Sequence, residues 1–285
     1  MYVEERHPAS SSGKLPIVMI HGGAHCGLCY TATPDRRPGW APYFTARGYP
    51  TYVVDWPGHG RSPMPKAFAT MSTRAVVTAA LDLIERMSRR CILLVHSMGG
   101  PIGWSIAEKA KDRVAAVLAI APGPPANIQP ALPEPPAPQI FPPQAVKFGA
   151  PSHNPEDRLV RFDKDSIRRN WANSEKFPTA AFADYCKGIF PESARAVNER
   201  YNFAGRGLLI AGPDALAGIP IAVVTGDEDT RHPREADAAV AQYLNAEFIW
   251  LPDHGLTGHG HMMMIELDNL EIADVLLGWL GRHGI

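Results

Sequence analysis

The stretch LLVHSMGGP, residues 93–101, places one serine between a run of apolar residues and a pair of glycines. The apolar run CILLVH (91–96) predicts a buried strand, and residues 99–110 predict a helix. Ser97 therefore stands where a strand turns sharply into a helix, and such a turn lifts a hydroxyl out of the sheet. The usual pattern for this turn is G-x-S-x-G, but Val95 occupies the first glycine position. The alternative is that Ser97 is an ordinary helix N-cap.

Length and charge restrict the class of protein. The 285 residues suffice for one large domain, or for a core with an inserted segment. The net charge is -1 and no basic block is visible, so we expect no nucleic-acid partner. No apolar run approaches the roughly 20 residues that span a membrane, so we expect no membrane partner. Residues 1–14 are polar and lack the apolar core of a secretion signal, which predicts a cytoplasmic protein; a signal already removed is the alternative.

Cysteine usage predicts neither a disulfide framework nor a metal centre. Four cysteines are too few for such a framework in a chain of this length: Cys26, Cys29, Cys91 and Cys186. The first two form a C-x-x-C pair, but a redox or zinc role would need a second pair or a redox fold. We therefore expect no metal and no cofactor.

Short β-branched runs alternate with helical patterns along the chain. The predicted strands lie at 15–20, 51–56, 91–96, 114–121, 221–226 and 247–252, and the predicted helices at 40–47, 73–89, 99–110, 234–244 and 269–280. This alternation predicts an α/β fold with a mostly parallel sheet covered by helices on both faces. Functional sites in such sheets lie beyond the carboxyl ends of the strands, and each motif discussed below follows a strand.

Residues 122–219 interrupt the alternation. The chain has 28 prolines, and many cluster in 122–155. Proline removes a backbone donor and fixes φ, so this stretch predicts an extended connection that leaves the core; a disordered linker is the alternative. Short helical pieces with aromatic residues follow. We therefore predict a core of residues 1–121 and 220–285 with a lid insertion at 122–219.

A nucleophilic serine needs a base that takes its proton, and an acid that orients the base. The base should be a histidine on the loop after the last strand. His261 is best placed, just before the final helix, with His259 as a reserve and His254 as a structural residue. The spacing of these histidines matches no common zinc pattern. The acid should come from GDED (226–229), where the residues alone do not separate Asp227, Glu228 and Asp229.

A nucleophilic serine also needs donors for the oxyanion that forms on the substrate. The backbone N–H of Met98 is one candidate, because it opens the helix that follows the serine. The second should come from the loop HGGAHCG (21–27), where Gly23 or Ala24 would supply the N–H. A plain glycine turn is the alternative for this loop.

These motifs together resemble the α/β-hydrolase superfamily. The resemblance runs from about residue 15 to the C-terminus, apart from the lid, and rests on HGG (21–23), DWPGHGRS (55–62), HSMGG (96–100), TGDEDTRHP (225–233) and GHGHMMMIE (258–266). It implies the α/β-hydrolase fold and the triad order Ser, Asp, His. In the family, the acid usually lies three residues after the glycine that ends its strand and four residues before a proline. Gly226 and Pro233 fit this spacing, which selects Asp229 as the acid. The family's histidine usually stands five residues before a glutamate, which selects His261.

A narrower resemblance links the segments 33–62 and 258–264 to a small branch of bacterial and fungal ester hydrolases. Part of that branch carries its acid, a glutamate, just after the strand that follows the nucleophile helix. The matching position here is Ala121, which leaves Asp229 without a rival. The resemblance also implies sheet strands before residue 15, where only 14 residues are available, so the leading edge should be short or missing.

The resemblance implies a serine hydrolase that cleaves a carboxylic ester of a small, largely apolar substrate through an acyl-enzyme. Amide or C–C bond hydrolysis, acyl transfer and lyase chemistry are alternatives on the same triad, and a non-catalytic receptor is a further one. The only expected partner is the small-molecule substrate, and a homodimer is left open. The predicted substrate-binding residues are Ala24, Trp171, Phe177, Phe182, Tyr185 and Phe190.

Overall fold

The computed structural model describes residues 1–10, 12–147 and 149–285. Position 148 belongs to the predicted lid and lies outside the described residues. The described residues form a seven-stranded sheet in the order β1-β3-β2-β4-β5-β6-β7. The strands are β1 (Tyr2–Arg6), β2 (Ile17–Ile20), β3 (Thr51–Asp55), β4 (Cys91–His96), β5 (Val114–Ile120), β6 (Ile221–Thr225) and β7 (Glu247–Trp250).

Among the strands that the structure describes, β1 alone runs antiparallel to its neighbour, β3, and the other neighbouring strands are parallel. The leading edge of the described sheet is formed by β1, a strand of five residues. The helices are α1 (Leu28–Thr31), α2 (Trp40–Ala46), α3 (Thr73–Arg86), α4 (Gly99–Lys109), α5 (Pro143–Val146), α6 (Lys164–Trp171), α7 (Phe182–Lys187), α8 (Ala194–Arg200), α9 (Arg234–Leu244) and α10 (Asn269–Arg282). This arrangement confirms the predicted fold class, with strand and helix ends shifted by a few residues. Among the described residues, no helix combines the length and apolar character needed to cross a membrane.

Two hydrophobic clusters cover the two faces of the sheet. Along β4, Ile92 and Leu94 join the cluster that contains α2 and α10 residues, whereas Leu93 and Val95 join the cluster of α3, α4 and α9. Successive side chains of a strand point to opposite faces, so a strand between two helical layers must be apolar at every position. All six residues of β4 are buried, which explains why CILLVH shows no alternation.

The segment 122–219 runs between β5 and β6 and carries α5, α6, α7 and α8 together with short 3-10 turns. Within its described residues, β-pairing is limited to isolated bridges. They join Leu132 to Phe203 and Val160 to Glu192. The prolines that precede α6 lack the N–H that a strand ladder needs, which explains why β-pairing in this stretch does not extend beyond isolated bridges. The assignment of this segment as a lid stays a prediction.

Val95 is accommodated by a glycine that the motif does not contain. A Cβ on Gly103, one turn into α4, would lie 2.6 Å from Cγ1 of Val95. A Cβ on Gly99 would instead lie 2.8 Å from the carbonyl oxygen of His21, and one on Gly100 would lie 2.6 Å from that of Gly123. The two motif glycines therefore allow neighbouring loops to approach, and Gly103 makes room for the valine.

We expect Gly103→Ala to lower the free energy of unfolding by about 1–3 kcal/mol, because the new methyl group overlaps the Val95 side chain. Chemical denaturation measures this loss. Val95→Ala should recover part of it in the double variant, which a double-mutant cycle would show. Gly278→Ala is the matched control: that helical glycine has open space around it. It should gain up to about 1 kcal/mol from helix propensity. Equal effects at both sites would contradict the packing argument.

Candidate active site

Ser97 lies between β4 and α4 with a left-handed backbone, at φ 51°. Three backbone hydrogen bonds hold it there: its N–H donates to the Ile120 carbonyl at 3.1 Å, and its carbonyl accepts from Gly100 and Gly123, both at 2.8 Å. A non-glycine residue adopts this conformation at a cost, so these contacts from β5, α4 and the loop that follows β5 must stabilise it. The first residue before α4 is Met98 and has no side-chain cap, so the hydroxyl of Ser97 does not serve as an N-cap.

The hydroxyl of Ser97 contacts the histidine that the sequence selected. Nε2 of His261 lies 2.9 Å from Oγ of Ser97, and its Nδ1 lies 2.8 Å from Oδ2 of Asp229. A carboxylate only accepts, so Nδ1 carries the proton and Nε2 is left to accept from the serine. The structure thus brings together the three residues from the ends of β4, β6 and β7 in the geometry of a serine, a base and an orienting acid.

The other two carboxylates of GDED point elsewhere. Asp227 accepts from the N–H groups of Gly258 and His259, and Glu228 accepts from the N–H of Glu175. Both therefore hold loops around the site. Asp229 accepts from the N–H groups of residues 231 and 232 through its second oxygen. Burial raises the pKa of the Asp229 carboxyl, but His261, His232 and the His232 backbone N–H together lower it, so this pKa lies below its ordinary value.

The remaining histidines of the last loop have structural positions. His259 is fully buried, with Nδ1 3.1 Å from Oε2 of Glu266, and that carboxylate also accepts from the Gly260 N–H. Glu266 thereby fixes the turn that presents His261. His254 ends a short 3-10 turn and is exposed.

The two predicted oxyanion donors face the same region. Gly23 and Met98 line the cavity that contains Ser97, and within the described part of the chain neither backbone N–H donates to an acceptor. A Cβ on Gly23 would lie 2.3 Å from the sulfur of Met98, so a larger residue here would require the Met98 side chain to shift. The N–H of Ala24, the alternative donor, instead donates to Oε2 of Glu192 at 2.9 Å.

Glu192 is a buried carboxylate that the sequence analysis missed. Besides the Ala24 N–H, it accepts from the Ser193 N–H, and Oε2 lies 3.2 Å from Nε2 of His59. Burial raises the pKa of this carboxyl, but His59 and the two backbone donors lower it, and the net pKa lies below its ordinary value. The charge therefore persists and ties the Gly23 loop to the segment before α8. A lone glutamate next to an N-cap serine gives no sequence signal for such burial.

His232 is the second residue that the sequence analysis missed. Its ring stacks on that of His261, with centroids 5.1 Å apart. Its Nδ1 lies 3.0 Å from Oδ1 of Asp237, and its Nε2 lies 3.3 Å from Nη2 of Arg200. A guanidinium only donates, so Nε2 accepts and the proton is on Nδ1. Burial lowers the pKa of His232 to about 3, which keeps this ring neutral beside the base.

The cavity at Ser97 has a volume of about 360 Å³, a size typical of small-molecule sites. Of the six predicted substrate-binding residues, only Trp171 lines it. Phe177 and Tyr185 are buried in the core, with ring centroids 5.2 Å apart, and Phe182 packs against that core. Phe190 lies near His59, and Ala24 is buried. Aromatic rings gain more by burying their large apolar surface in the core than by lining a polar cavity.

Cys26 and Cys29 are buried free thiols, and burial raises the pKa of Cys26 to about 11. A thiol with this pKa is protonated at neutral pH and is a poor nucleophile or metal ligand. Among the described residues, no group of three or more His, Cys, Asp or Glu side chains could hold a metal ion.

The model of the α/β hydrolase family matches residues 17–275. The chain belongs to the α/β hydrolase family. This match confirms the family that the motifs indicated, and it covers β2 to β7, the segment 122–219 and the first half of α10.

This α/β hydrolase also resembles individual proteins. It is 24% identical to a fungal (Fungal sp.) protein named "Probable secreted lipase phiG", over 99% of this chain and 86% of that protein. It is 32% identical to a pyrethroid hydrolase of Sphingobium wenxiniae over 36% of this chain and 34% of that enzyme. Among solved structures, the monoacylglycerol lipase of Paleococcus ferrophilus superposes with a TM-score of 0.67 at 18% identity, covering 99% of this chain and all (100%) of that one.

The buried charge of Glu192 yields a prediction. We expect Glu192→Gln to lower the free energy of unfolding by about 3 kcal/mol or more, because the substitution separates a buried ionic contact and weakens the bond to Ala24. Chemical denaturation at pH 7 measures it. Glu175→Gln, at an exposed position of the segment 122–219, is the matched control and should change stability by less than about 0.5 kcal/mol. Equal stability of the two variants would argue against the structural role of Glu192.

Proposed function

We propose that this α/β hydrolase cleaves carboxylic esters of small molecules through an acyl-enzyme on Ser97. The observation that carries the proposal is the chain of contacts from Ser97 Oγ to His261 Nε2 and from His261 Nδ1 to Asp229, at 2.9 and 2.8 Å. Ester chemistry is supported by the relatives: their names describe a secreted lipase, a pyrethroid hydrolase and a monoacylglycerol lipase.

In the proposed reaction, Ser97 Oγ attacks the ester carbonyl carbon while its proton passes to Nε2 of His261. The N–H groups of Gly23 and Met98 donate to the oxyanion of the tetrahedral intermediate. The intermediate collapses, the C–O bond to the alcohol breaks, and the alcohol leaves with the proton from His261. Water then attacks the acyl-enzyme with His261 again as the base, and releases the carboxylic acid and free Ser97.

Asp229 acts through His261 in this scheme. Its carboxylate holds the tautomer in which Nε2 is the free acceptor, and it stabilises the positive imidazolium that forms in each half-reaction. The neutral His232 ring supports the same step, because a second charged ring stacked on His261 would oppose its protonation. The segment 122–219 contributes apolar side chains to the cavity, namely Val160, Phe162, Trp171 and Val197. They would contact the hydrocarbon part of the substrate.

The test of the nucleophile uses p-nitrophenyl acetate and butyrate. We expect Ser97→Ala to lower kcat by about 10⁴-fold or more, since removing a serine nucleophile leaves only binding and oxyanion stabilisation. Ser166→Ala, which removes another hydroxyl from the same cavity wall, should keep kcat within about threefold. A phosphonate ester inhibitor should add its mass to the peptide that contains Ser97. Full activity of Ser97→Ala would contradict the mechanism.

The pH profile tests the base. Burial lowers the pKa of His261, Asp229 raises it, and His232 and Arg231 lower it again, so the net pKa lies below the ordinary value of 6.5. His261 accepts a proton only when neutral, so kcat/KM should fall as the pH decreases through this pKa. We expect the acidic limb of kcat/KM to have its midpoint below pH 6.5. A midpoint above pH 7 would contradict the assignment of the environment around His261.

A further inference from the structure

The charged side chains in the cavity at Ser97 are mainly cationic. Among the described residues that line it, Arg161, Arg200 and Arg231 are basic and Glu192 is acidic. The two oxygens of Glu192 accept backbone N–H groups and face a histidine, as described above. This carboxylate therefore serves the loop behind the cavity, and the guanidinium groups determine the charge that a substrate encounters.

The hydrogen bonds of the Arg231 guanidinium to the described residues do not use all of its N–H donors. Its Nη1 donates to Oδ1 of Asn170 at 2.9 Å, and its Nη2 lies 3.5 Å from the hydroxyl of Tyr201. Its Nε is buried and has no acceptor among the described residues. Within the same residues, the ion pairs closer than 4.0 Å do not include Arg231. A buried N–H without an acceptor is costly, and a ligand oxygen would remove that cost.

Arg200 adds a second guanidinium to the same wall. It is only 5% exposed, it reaches the neutral His232 at 3.3 Å, and its guanidinium carbon lies 5.0 Å from the ring centre of Tyr201. A guanidinium stays protonated even when burial lowers its pKa. Burial raises the pKa of the Tyr201 phenol, but the positive charges of Arg231 and Arg200 lower it, and the net pKa lies below its ordinary value.

Resting on the proposed esterase function, we propose that Arg231 and Arg200 bind a carboxylate of the substrate, so that the ester cleaved at Ser97 belongs to a molecule with a free carboxylate group. Planar guanidinium groups match the two oxygens of a carboxylate. The expected substrate therefore combines an apolar hydrocarbon part with one carboxylate group. The apolar wall with Phe162 and Trp171 takes the hydrocarbon part, and the arginine wall takes the anion.

Matched pairs of esters test this proposal. Monoethyl glutarate is compared with ethyl valerate, in which a methyl group replaces the carboxylate, and 4-acetoxybenzoate is compared with 4-methylphenyl acetate. The first pair carries the charge on the acyl side and the second on the alcohol side. Hydrolysis is followed by titration of the released acid at constant pH. We expect kcat/KM for the charged ester to exceed that of its neutral partner by at least about tenfold in one of the pairs.

The variants Arg231→Met and Arg231→Lys should change this ratio. We expect Arg231→Met to lower the ratio of charged to neutral kcat/KM by about tenfold or more, and Arg231→Lys to restore part of it by keeping the charge. Arg158→Met is the matched control, because it removes an equal charge at an exposed site in the same segment and should leave the ratio unchanged. Thermal unfolding of each variant establishes that it is folded.

The outcomes separate the two proposals. Ser97-dependent hydrolysis with equal rates for charged and neutral esters in both pairs would overturn carboxylate recognition and leave the esterase function intact. A charged-ester preference that survives in Arg231→Met would also overturn it. If the enzyme hydrolyses none of the four compounds and neither p-nitrophenyl ester, the proposed function itself is overturned, and the inference with it.

Discussion

The left-handed backbone of Ser97 is the constraint on which the rest of the site depends. It directs the hydroxyl away from the sheet and turns the chain from β4 into α4 within two residues. The hydrogen bonds from Ile120, Gly100 and Gly123 that stabilise this conformation come from three different segments. Strand order places β5 next to β4, so the sheet itself supplies the support. The left-handed conformation of Ser97 is thus stabilised by segments that are distant in sequence as well as by its neighbours in the chain.

Three carboxylates hold the loops around this turn. Glu266 shapes the loop of His261, Asp227 holds the start of the same loop, and Glu192 holds the loop of Gly23. Each carboxylate accepts backbone N–H groups. Asp227 is exposed, whereas Glu192 and Glu266 are buried, and the N–H donors reduce the cost of burying their charge. Loops that carry reacting groups are held by charge-assisted bonds, while the strands behind them are held by apolar packing. The two kinds of stabilisation meet at the carboxyl ends of the strands.

The sequence predicts the core of this protein better than its cavity. The strands and helices follow from apolar periodicity, and Ser97 and His261 follow from their places after β4 and β7, because parallel strands end at one edge. The walls of the cavity follow from neither rule. Trp171 and Phe177 are both aromatic, lie close together in sequence and belong to the same buried cluster, yet only Trp171 also lines the cavity. Glu192 and Arg200 break the general rule that charged residues stay at the surface. Their burial depends on partners distant in sequence, which no local pattern records.

The contact between Val95 and Gly103 has a consequence for how such turns are recognised from sequence. A strand and a helix that nearly touch require a certain small volume at their contact, and either partner can supply it. In this protein the small residue is Gly103 on the helix, eight residues after Val95, and the strand position carries the larger side chain. A pattern written for one position would therefore miss a pair whose combined size is correct. The constraint is better written as a limit on two residues together, which leaves room for compensating exchanges between them.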